Sequence, residues 1–223
     1  MSVTTTRPRG SRTAGLVLAG MASAGVTGVF VGLAAGSVSG NRMAPWIIGR
    51  SAGVSAYVLL VALVVLGLVQ SHPWRNRLRH PSSATRIRLH IVLAVLTLAI
   101  TLLHMVVLAT DRYAGVGWPG ALLPLRASYR PVPVTLGLLG AWAGLLAGIT
   151  AALAGHLPAR AWWPIHKVAV GALVLVWLHG VLAGGDAHAL RWMYLGTALL
   201  VVAIAISRYT ARTPADRVAE LRR

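Results

Sequence analysis

Long apolar runs separated by short basic segments dominate the chain. A helix needs about 20 mainly apolar residues to cross about 30 Å of hydrocarbon, and six stretches of that length occur. They are continuously apolar and lack the alternating pattern of strands in a membrane barrel. The pattern therefore predicts an all-α membrane protein, a six-transmembrane-helix bundle with spans at Ala14–Gly36, Trp46–Gln70, Ile87–Thr110, Val132–Gly155, Ile165–Gly184 and Leu190–Ser207.

The first apolar run could also be interpreted as a secretory signal peptide. It follows Arg7, Arg9 and Arg12 and ends in small residues, as a cleavable leader would. It is 23 residues long, whereas the apolar region of a signal peptide has about 7–15 residues. We therefore expect this run to be kept as a transmembrane span.

Composition agrees with a membrane location and argues against nucleic-acid binding. Of 223 residues, 57% are hydrophobic and 11% are charged, whereas about a quarter of a typical soluble domain is charged. The 21 Lys and Arg residues against 4 Asp and Glu give a formal charge of +17. Because these bases lie between the apolar runs and form no single patch, we expect no nucleic-acid partner. The absence of cysteine excludes disulfides, thiolate metal sites and iron–sulfur clusters.

The distribution of basic residues predicts the orientation in the membrane. Cytoplasmic loops carry an excess of Lys and Arg, and a cytoplasmic N-terminus places 15 bases inside and 6 outside. Both termini are therefore expected in the cytoplasm, with membrane lipid around the spans. The resulting organisation is a basic N-terminus over residues 1–13, a transmembrane domain over 14–209 and a basic tail over 210–223. The six bases assigned outside are Arg42, Arg50, Arg112, Arg126, Arg130 and Arg191.

Four of the eight histidines lie inside predicted spans. His90 and His104 belong to the third span, and His166 and His179 belong to the fifth. An ionisable side chain within a span is costly and marks a candidate functional site. The remaining histidines fall in loops or at span ends, where solvation explains them: His72, His80, His156 and His188.

The spacing of the four histidines predicts two facing pairs. From His90 to His104 is 14 residues, about 21 Å of helical rise with return to nearly the same face; from His166 to His179 is 13, about 19.5 Å. Both spans run the same way across the membrane, so His90 and His166 share the cytoplasmic level and His104 and His179 the outer level. Two pairs of imidazoles suit bis-histidine ligation of two haems.

Two further points qualify this interpretation. Thirteen residues leave His179 about 140° around an ideal helix from His166, which a bend near Gly171 or haems bound off-centre could correct. Histidines that only pack helices together, bonded to backbone or hydroxyl groups, are the alternative explanation.

The pattern of six spans, with His-x13-His in the third and His-x12-His in the fifth, resembles the ferric reductase-like transmembrane domain. That family includes ferric reductases, NADPH oxidases and the haem-binding membrane subunit of the bacterial methionine sulfoxide reductase system. The resemblance implies two haem b groups, one held on the cytoplasmic side by His90 and His166 and one on the outer side by His104 and His179. Leu108 stands where NADPH oxidases carry another histidine.

The size of the chain is most similar to that of the methionine sulfoxide reductase subunit. The sequence contains no phosphate-cradling glycine-rich loop, and few residues follow Tyr209, where the larger family members continue into an FAD and NAD(P)H domain. We therefore expect an oxidoreductase component in the bacterial cytoplasmic membrane that depends on a separate donor. The donor would be a cytoplasmic flavoprotein or quinol, and the acceptor an extracytoplasmic reductase or ferric iron.

A second function from a different class stays open. A haem-free six-helix transporter or membrane scaffold could use the same histidines for ion binding or helix packing. Cytochromes of the b and b6 type are a weaker analogy, because they place paired histidines on their second and fourth helices. Haem content distinguishes the first two possibilities in one measurement.

Several other residues have two possible roles each. Glycines at intervals of four in the first and fourth spans favour close helix packing but could also give a porphyrin room. Arg50 could reach the interface or bind an outer-haem propionate. Arg86 and Arg88 could serve the cytoplasmic haem, or simply belong to the basic loop. Trp142 and Trp177 could lie near the haems or pack in the core. The two glycine sets are Gly28, Gly32 and Gly36, and Gly140, Gly144 and Gly148.

Overall fold

The computed structural model describes residues 43–75 and 81–211. Within these ranges the protein is all-helical and contains no strand. Five helices are long and apolar enough to cross a membrane, which is compatible with a multi-pass integral membrane protein. The helices are α1 (Ala44–Ser71), α2 (Ser83–Thr110), the short α3 (Gly117–Leu122), α4 (Pro131–Ala152), α5 (Ala159–Ala183) and α6 (Arg191–Thr210).

Local signals account for several helix ends. Ser82 caps α2, because its hydroxyl accepts a hydrogen bond from the Thr85 N–H at 3.2 Å, as N-cap serines commonly do. At the other end of α2, the Asp111 carboxylate accepts from the Tyr113 N–H at 3.0 Å and begins a 3₁₀ turn. Pro131 occupies the first turn of α4, where its missing N–H has no helical partner to lose.

The five described long helices match five of the six predicted spans, and the largest boundary difference is at the beginning of the fifth span. The predicted first span, Ala14–Gly36, lies outside the described residues. The fifth span was expected from Ile165, but α5 begins at Ala159. Hydrophobicity alone missed this extra turn, because it contains Arg160 and includes Pro164 inside the helix. A proline so close to the N-terminus removes only one backbone hydrogen bond.

Helix α1 supplies most of the buried core. One side of α1 packs against Leu173 of α5 and Tyr194 of α6. Helix α2, in contrast, directs most of its apolar side chains outward, as expected for a helix facing lipid. The buried α1 side chains of this core are Tyr57, Leu60, Val61, Val64 and Leu68.

Two helix pairs position the candidate site. Helix α4 packs along α5 more extensively than any other pair of described helices. Helix α1 approaches α2 closely at Gly49, where a Cβ atom would lie only 2.6 Å from Cδ2 of Leu108. Helices α2 and α5 carry the four intramembrane histidines. Helix α1 lies beside α2 and helix α4 lies beside α5, and the two members of each pair run in opposite directions.

Candidate functional site

The four histidines form two facing pairs, in the combinations predicted from their spacing. The ring centres of His90 and His166 are 6.1 Å apart with the ring planes at 66°. The ring centres of His104 and His179 are 6.3 Å apart with the planes at 77°. Helices α2 and α5 therefore run in the same direction. The 14 residues between His90 and His104 separate the two levels by about 21 Å along α2.

These separations match those expected for two imidazoles bound to one metal from opposite sides. A metal–nitrogen bond of about 2.0–2.1 Å on each side, plus about 1.1 Å from each nitrogen to its ring centre, places the centres about 6.3 Å apart. The observed values are 6.1 and 6.3 Å. The ring separations are thus compatible with one metal ion between the two imidazoles of each pair.

Hydrogen bonds select the tautomer of both outer histidines. Nδ1 of His104 donates to the carbonyl of Gly49 at 2.6 Å, and Nδ1 of His179 donates to the carbonyl of Pro133 at 2.9 Å. A carbonyl can only accept, so Nδ1 carries the hydrogen in each ring and Nε2 keeps a free lone pair. A backbone carbonyl on the second nitrogen is the usual support of a metal-binding histidine.

The inner histidines are held less tightly. Nδ1 of His166 lies 3.4 Å from the carbonyl of Ala147. Nδ1 of His90 is buried and approaches the carbonyl of Leu63 without a hydrogen bond of normal geometry. The ring of His166 is instead stacked on Trp163, with the ring centres 6.3 Å apart and the planes at 21°.

Glycines on the neighbouring helices make room for three of the four rings. A Cβ atom on Gly53 would lie 2.8 Å from both Cε1 and Nδ1 of His104. One on Gly137 would lie 2.7 Å from Nδ1 of His179, and one on Gly67 would lie 3.2 Å from Cε1 of His90. Contacts below 3.0 Å are not tolerated without movement. Gly53 and Gly137 are therefore needed for the positions that the outer rings occupy.

The glycines and carbonyls follow one rule that the sequence analysis missed. In three of the four cases the carbonyl near the imidazole precedes a glycine by four residues, one helical turn. On α1 the carbonyl of Gly49 precedes Gly53, and the carbonyl of Leu63 precedes Gly67. On α4 the two carbonyls are those of residues 133 and 147. The repeat of 14 residues equals the spacing from His90 to His104. On α4 the second glycine is replaced by Ala151.

A cavity of about 520 Å³ adjoins the outer pair. His104, His179, Gly53 and Gly137 line it, together with apolar side chains from α1, α2, α4 and α5. Its volume falls in the usual range of small-molecule sites, about 300–1,000 Å³, and such sites are mostly apolar with few polar groups. This cavity gives the outer pair space on the side away from the helix backbones.

Two glycines of the fourth-span stripe, Gly140 and Gly144, have different surroundings. A Cβ atom on Gly140 would lie 2.7 Å from Cγ2 of Val176, so Gly140 permits close packing of α4 on α5. A Cβ atom on Gly144 would meet nothing within 4 Å, and Gly144 lines the cavity. The corresponding stripe of the first span lies outside the described residues.

The two predicted arginine roles have different outcomes. Arg50 lines the cavity, forms an ion pair with Asp186 and lies 4.0 Å from the ring centre of Trp46. It is therefore close to the outer pair. The Arg86 guanidinium donates to the carbonyl of Pro81 at 2.7 Å and to the Ser83 hydroxyl at 2.9 Å. Arg86 thus stabilises the beginning of α2.

Two predicted tryptophans and two loop histidines make contacts outside the pairs. Trp177 donates from Nε1 to the carbonyl of Tyr194 at 3.1 Å and packs against the core, while Trp142 is exposed. His72 contacts the Ser207 hydroxyl at 3.2 Å from Nε2, and His188 contacts Arg191. His80 lies outside the described residues.

Comparison with known proteins adds no relative: no family model, no curated protein and no solved structure matches the chain. The described part of the chain is thus defined by its own features, an all-helical fold with five helices able to span a membrane and two facing histidine pairs.

Each histidine pair offers only two ligands, which suits a metal ion whose other ligands come from a bound molecule. Among the described residues, no group of three or more His, Asp or Glu side chains could jointly hold an ion. Two imidazoles on opposite sides leave the remaining coordination positions to another molecule. A haem would meet this requirement, because the porphyrin would supply the other nitrogen ligands and the two histidines of a pair would hold the iron.

Proposed function

We propose that the protein is a dihaem b-type membrane cytochrome that carries electrons across the membrane. His90 and His166 would hold one haem, and His104 and His179 would hold the other. The observation that carries this proposal is the pair of ring separations, 6.1 and 6.3 Å, at two levels of the same two helices. When bound, the haems supply one-electron iron chemistry.

The residues of the chain have three tasks in this function. The four histidines offer Nε2 as ligands, and at the outer level the Gly49 and Pro133 carbonyls hold the tautomer that leaves Nε2 free. The apolar helices around the pairs exclude water, which lowers the local dielectric and helps to set the reduction potential.

We further propose six spans with both termini in the cytoplasm, so that the His90–His166 pair faces the cytoplasm. The division of bases over the whole sequence, 15 on the cytoplasmic side against 6 outside, supports this orientation. Both described acidic residues, Asp111 and Asp186, lie at the end of the bundle near His104. Every described charged residue at the opposite end is basic, namely Arg75, Arg86, Arg88, Arg160, Lys167 and Arg208. An excess of bases marks the cytoplasmic side.

This orientation places a donor and an acceptor at opposite ends. Electrons would come from a separate cytoplasmic flavoprotein or quinol and leave to an extracytoplasmic reductase or ferric iron. The arrangement supports a membrane component of a ferric reductase-like or periplasmic reductase system. The histidine spacings are the features it shares with that family.

Haem stoichiometry tests the proposal directly. The full chain is purified in detergent after expression with added haem precursor, and haem is measured per chain by pyridine haemochrome. We expect about two haems and b-type bands in the reduced-minus-oxidised spectrum. Absence of haem in a folded, supplemented protein would refute the proposal and favour a haem-free transporter or scaffold.

The histidines outside the pairs provide a matched control. A variant with His72, His156 and His188 all changed to Asn keeps the two pairs intact, and we expect its haem content to equal that of the unaltered protein. If this variant loses haem, the ligand assignment is wrong.

A further inference from the structure

Each outer histidine rests in a seat formed by a glycine and the carbonyl one turn before it on the adjacent helix. For His104 the seat is Gly53 with the Gly49 carbonyl, on α1. For His179 it is Gly137 with the Pro133 carbonyl, on α4. In an α-helix the carbonyl of residue i already accepts from the N–H of residue i+4. Its second lone pair takes the imidazole N–H, which can approach because the glycine has no side chain.

We infer that Gly53 and Gly137 are positioning residues for the outer haem ligands, acting through His104 and His179. The inference rests on the proposed function. A methyl group at either position would push the ring away from its carbonyl, since the added carbon would lie 2.7–2.8 Å from ring atoms. Loss of the Nδ1–H···O=C bond makes the imidazole a less basic ligand, which weakens binding of the iron and raises its potential.

Helix propensity argues against a purely local role for these glycines. Glycine within a helix is less favourable than alanine by about 0.5–1 kcal/mol. Both residues lie well inside long helices, without a turn or a cap that would require glycine. Close approach of the imidazole is the physical reason that the structure offers.

Three alanine substitutions test the inference. Gly53→Ala and Gly137→Ala are compared with Gly196→Ala on α6, a helical glycine outside the cavity lining whose added methyl would meet nothing within 4 Å. We expect Gly53→Ala and Gly137→Ala to bind one of the two haems about 10- to 100-fold more weakly. The potential of that haem should shift to more positive values while the other stays unchanged. Gly196→Ala should retain both haems and both potentials.

The inference is overturned if the seat variants and Gly196→Ala have the same haem content and the same two potentials. It is also overturned if both haems shift together in Gly53→Ala, because the Gly53 seat supports only the outer level. Circular dichroism of each variant shows whether the helices are retained. If one seat variant loses its helices, the comparison with Gly196→Ala is made with the variant of the other seat.

A measurement on the haem-free protein separates this inference from the proposed function. Nitrogen-15 chemical shifts of labelled histidine report which ring nitrogen carries the hydrogen. In the unaltered protein we expect His104 and His179 as the Nδ1–H tautomer; Gly53→Ala should change His104 alone. If the chain binds no haem but shows this tautomer change, the seat stands and the cytochrome proposal falls. If the chain binds haem and the tautomer does not respond, the seat is wrong.

Discussion

Replacing one histidine of a pair should remove one haem and leave the other in place. In His104→Gly the outer pair retains only His179, and the inner pair, with its ring centres 6.1 Å apart, is unaltered. No inner histidine can substitute, because the two levels are about 21 Å apart along α2. The haem content should therefore fall from about two per chain to about one.

Double variants make the prediction quantitative. Two residues that act as one unit give non-additive losses. His104→Gly with His179→Gly should therefore still bind one haem, as the single variant does. His90→Gly with His104→Gly removes one ligand from each level and should bind none. Haem per chain by pyridine haemochrome, with a redox titration, distinguishes these outcomes.

Added imidazole checks that the fold survives the substitution. A His104→Gly variant leaves a space of the size of the lost ring next to the cavity, so free imidazole should enter and restore the second haem. Three results would refute the paired assignment: loss of both haems from folded His104→Gly, loss of the remaining haem in the outer double variant, or retention of haem in the variant that lacks His90 and His104.

Two further predictions concern the helix contacts that support the pairs. The Tyr57 and Thr197 hydroxyls form a hydrogen bond between α1 and α6. A double-mutant cycle with Tyr57→Phe and Thr197→Val, measured by unfolding in detergent, should give a coupling energy of about 0.6 and at most about 1.7 kcal/mol. A coupling energy near zero would contradict the contact. Gly140→Ala inserts a methyl 2.7 Å from Cγ2 of Val176 and should destabilise the protein by about 1–3 kcal/mol, whereas Gly196→Ala on α6, which meets nothing within 4 Å, should not.

The helices and the pairing could be predicted because each depends on a property of a single helix. The length of an apolar run indicates a span, and a spacing of 14 returns a side chain to nearly the same face. The beginning of α5 was less predictable. A charged residue and Pro164 interrupt the apolar pattern there, yet both are compatible with the first turns of a helix.

The contacts around the rings depend on two helices at once and were harder to predict. Which carbonyl meets His104 is decided by the relative position of α1 and α2, which hydrophobicity does not report. A signal was nevertheless present in the sequence. Gly53 and Gly67 repeat the 14-residue spacing of His90 and His104, as expected when two antiparallel helices present matching sites.

The spacing of 13 on α5 and the missing glycine on α4 have a common geometric explanation. The α4 carbonyls that face the histidines, those of Pro133 and Ala147, are 14 residues apart, whereas His166 and His179 are 13 apart. One residue fewer turns a side chain by about 100°. His166 therefore cannot meet its carbonyl as His179 does, and its Nδ1 lies at 3.4 Å.

A ring that does not press against α4 needs no glycine there, and alanine occupies position 151. Support for His166 comes instead from its own helix, where Trp163 stacks on the ring. The angular mismatch is thus accommodated at one histidine, and α5 remains a continuous helix through Gly171. The inner pair reaches nearly the same ring separation as the outer pair, 6.1 against 6.3 Å, with a different set of supporting residues. Substitutions on α4 should therefore affect the outer level more strongly than the inner one.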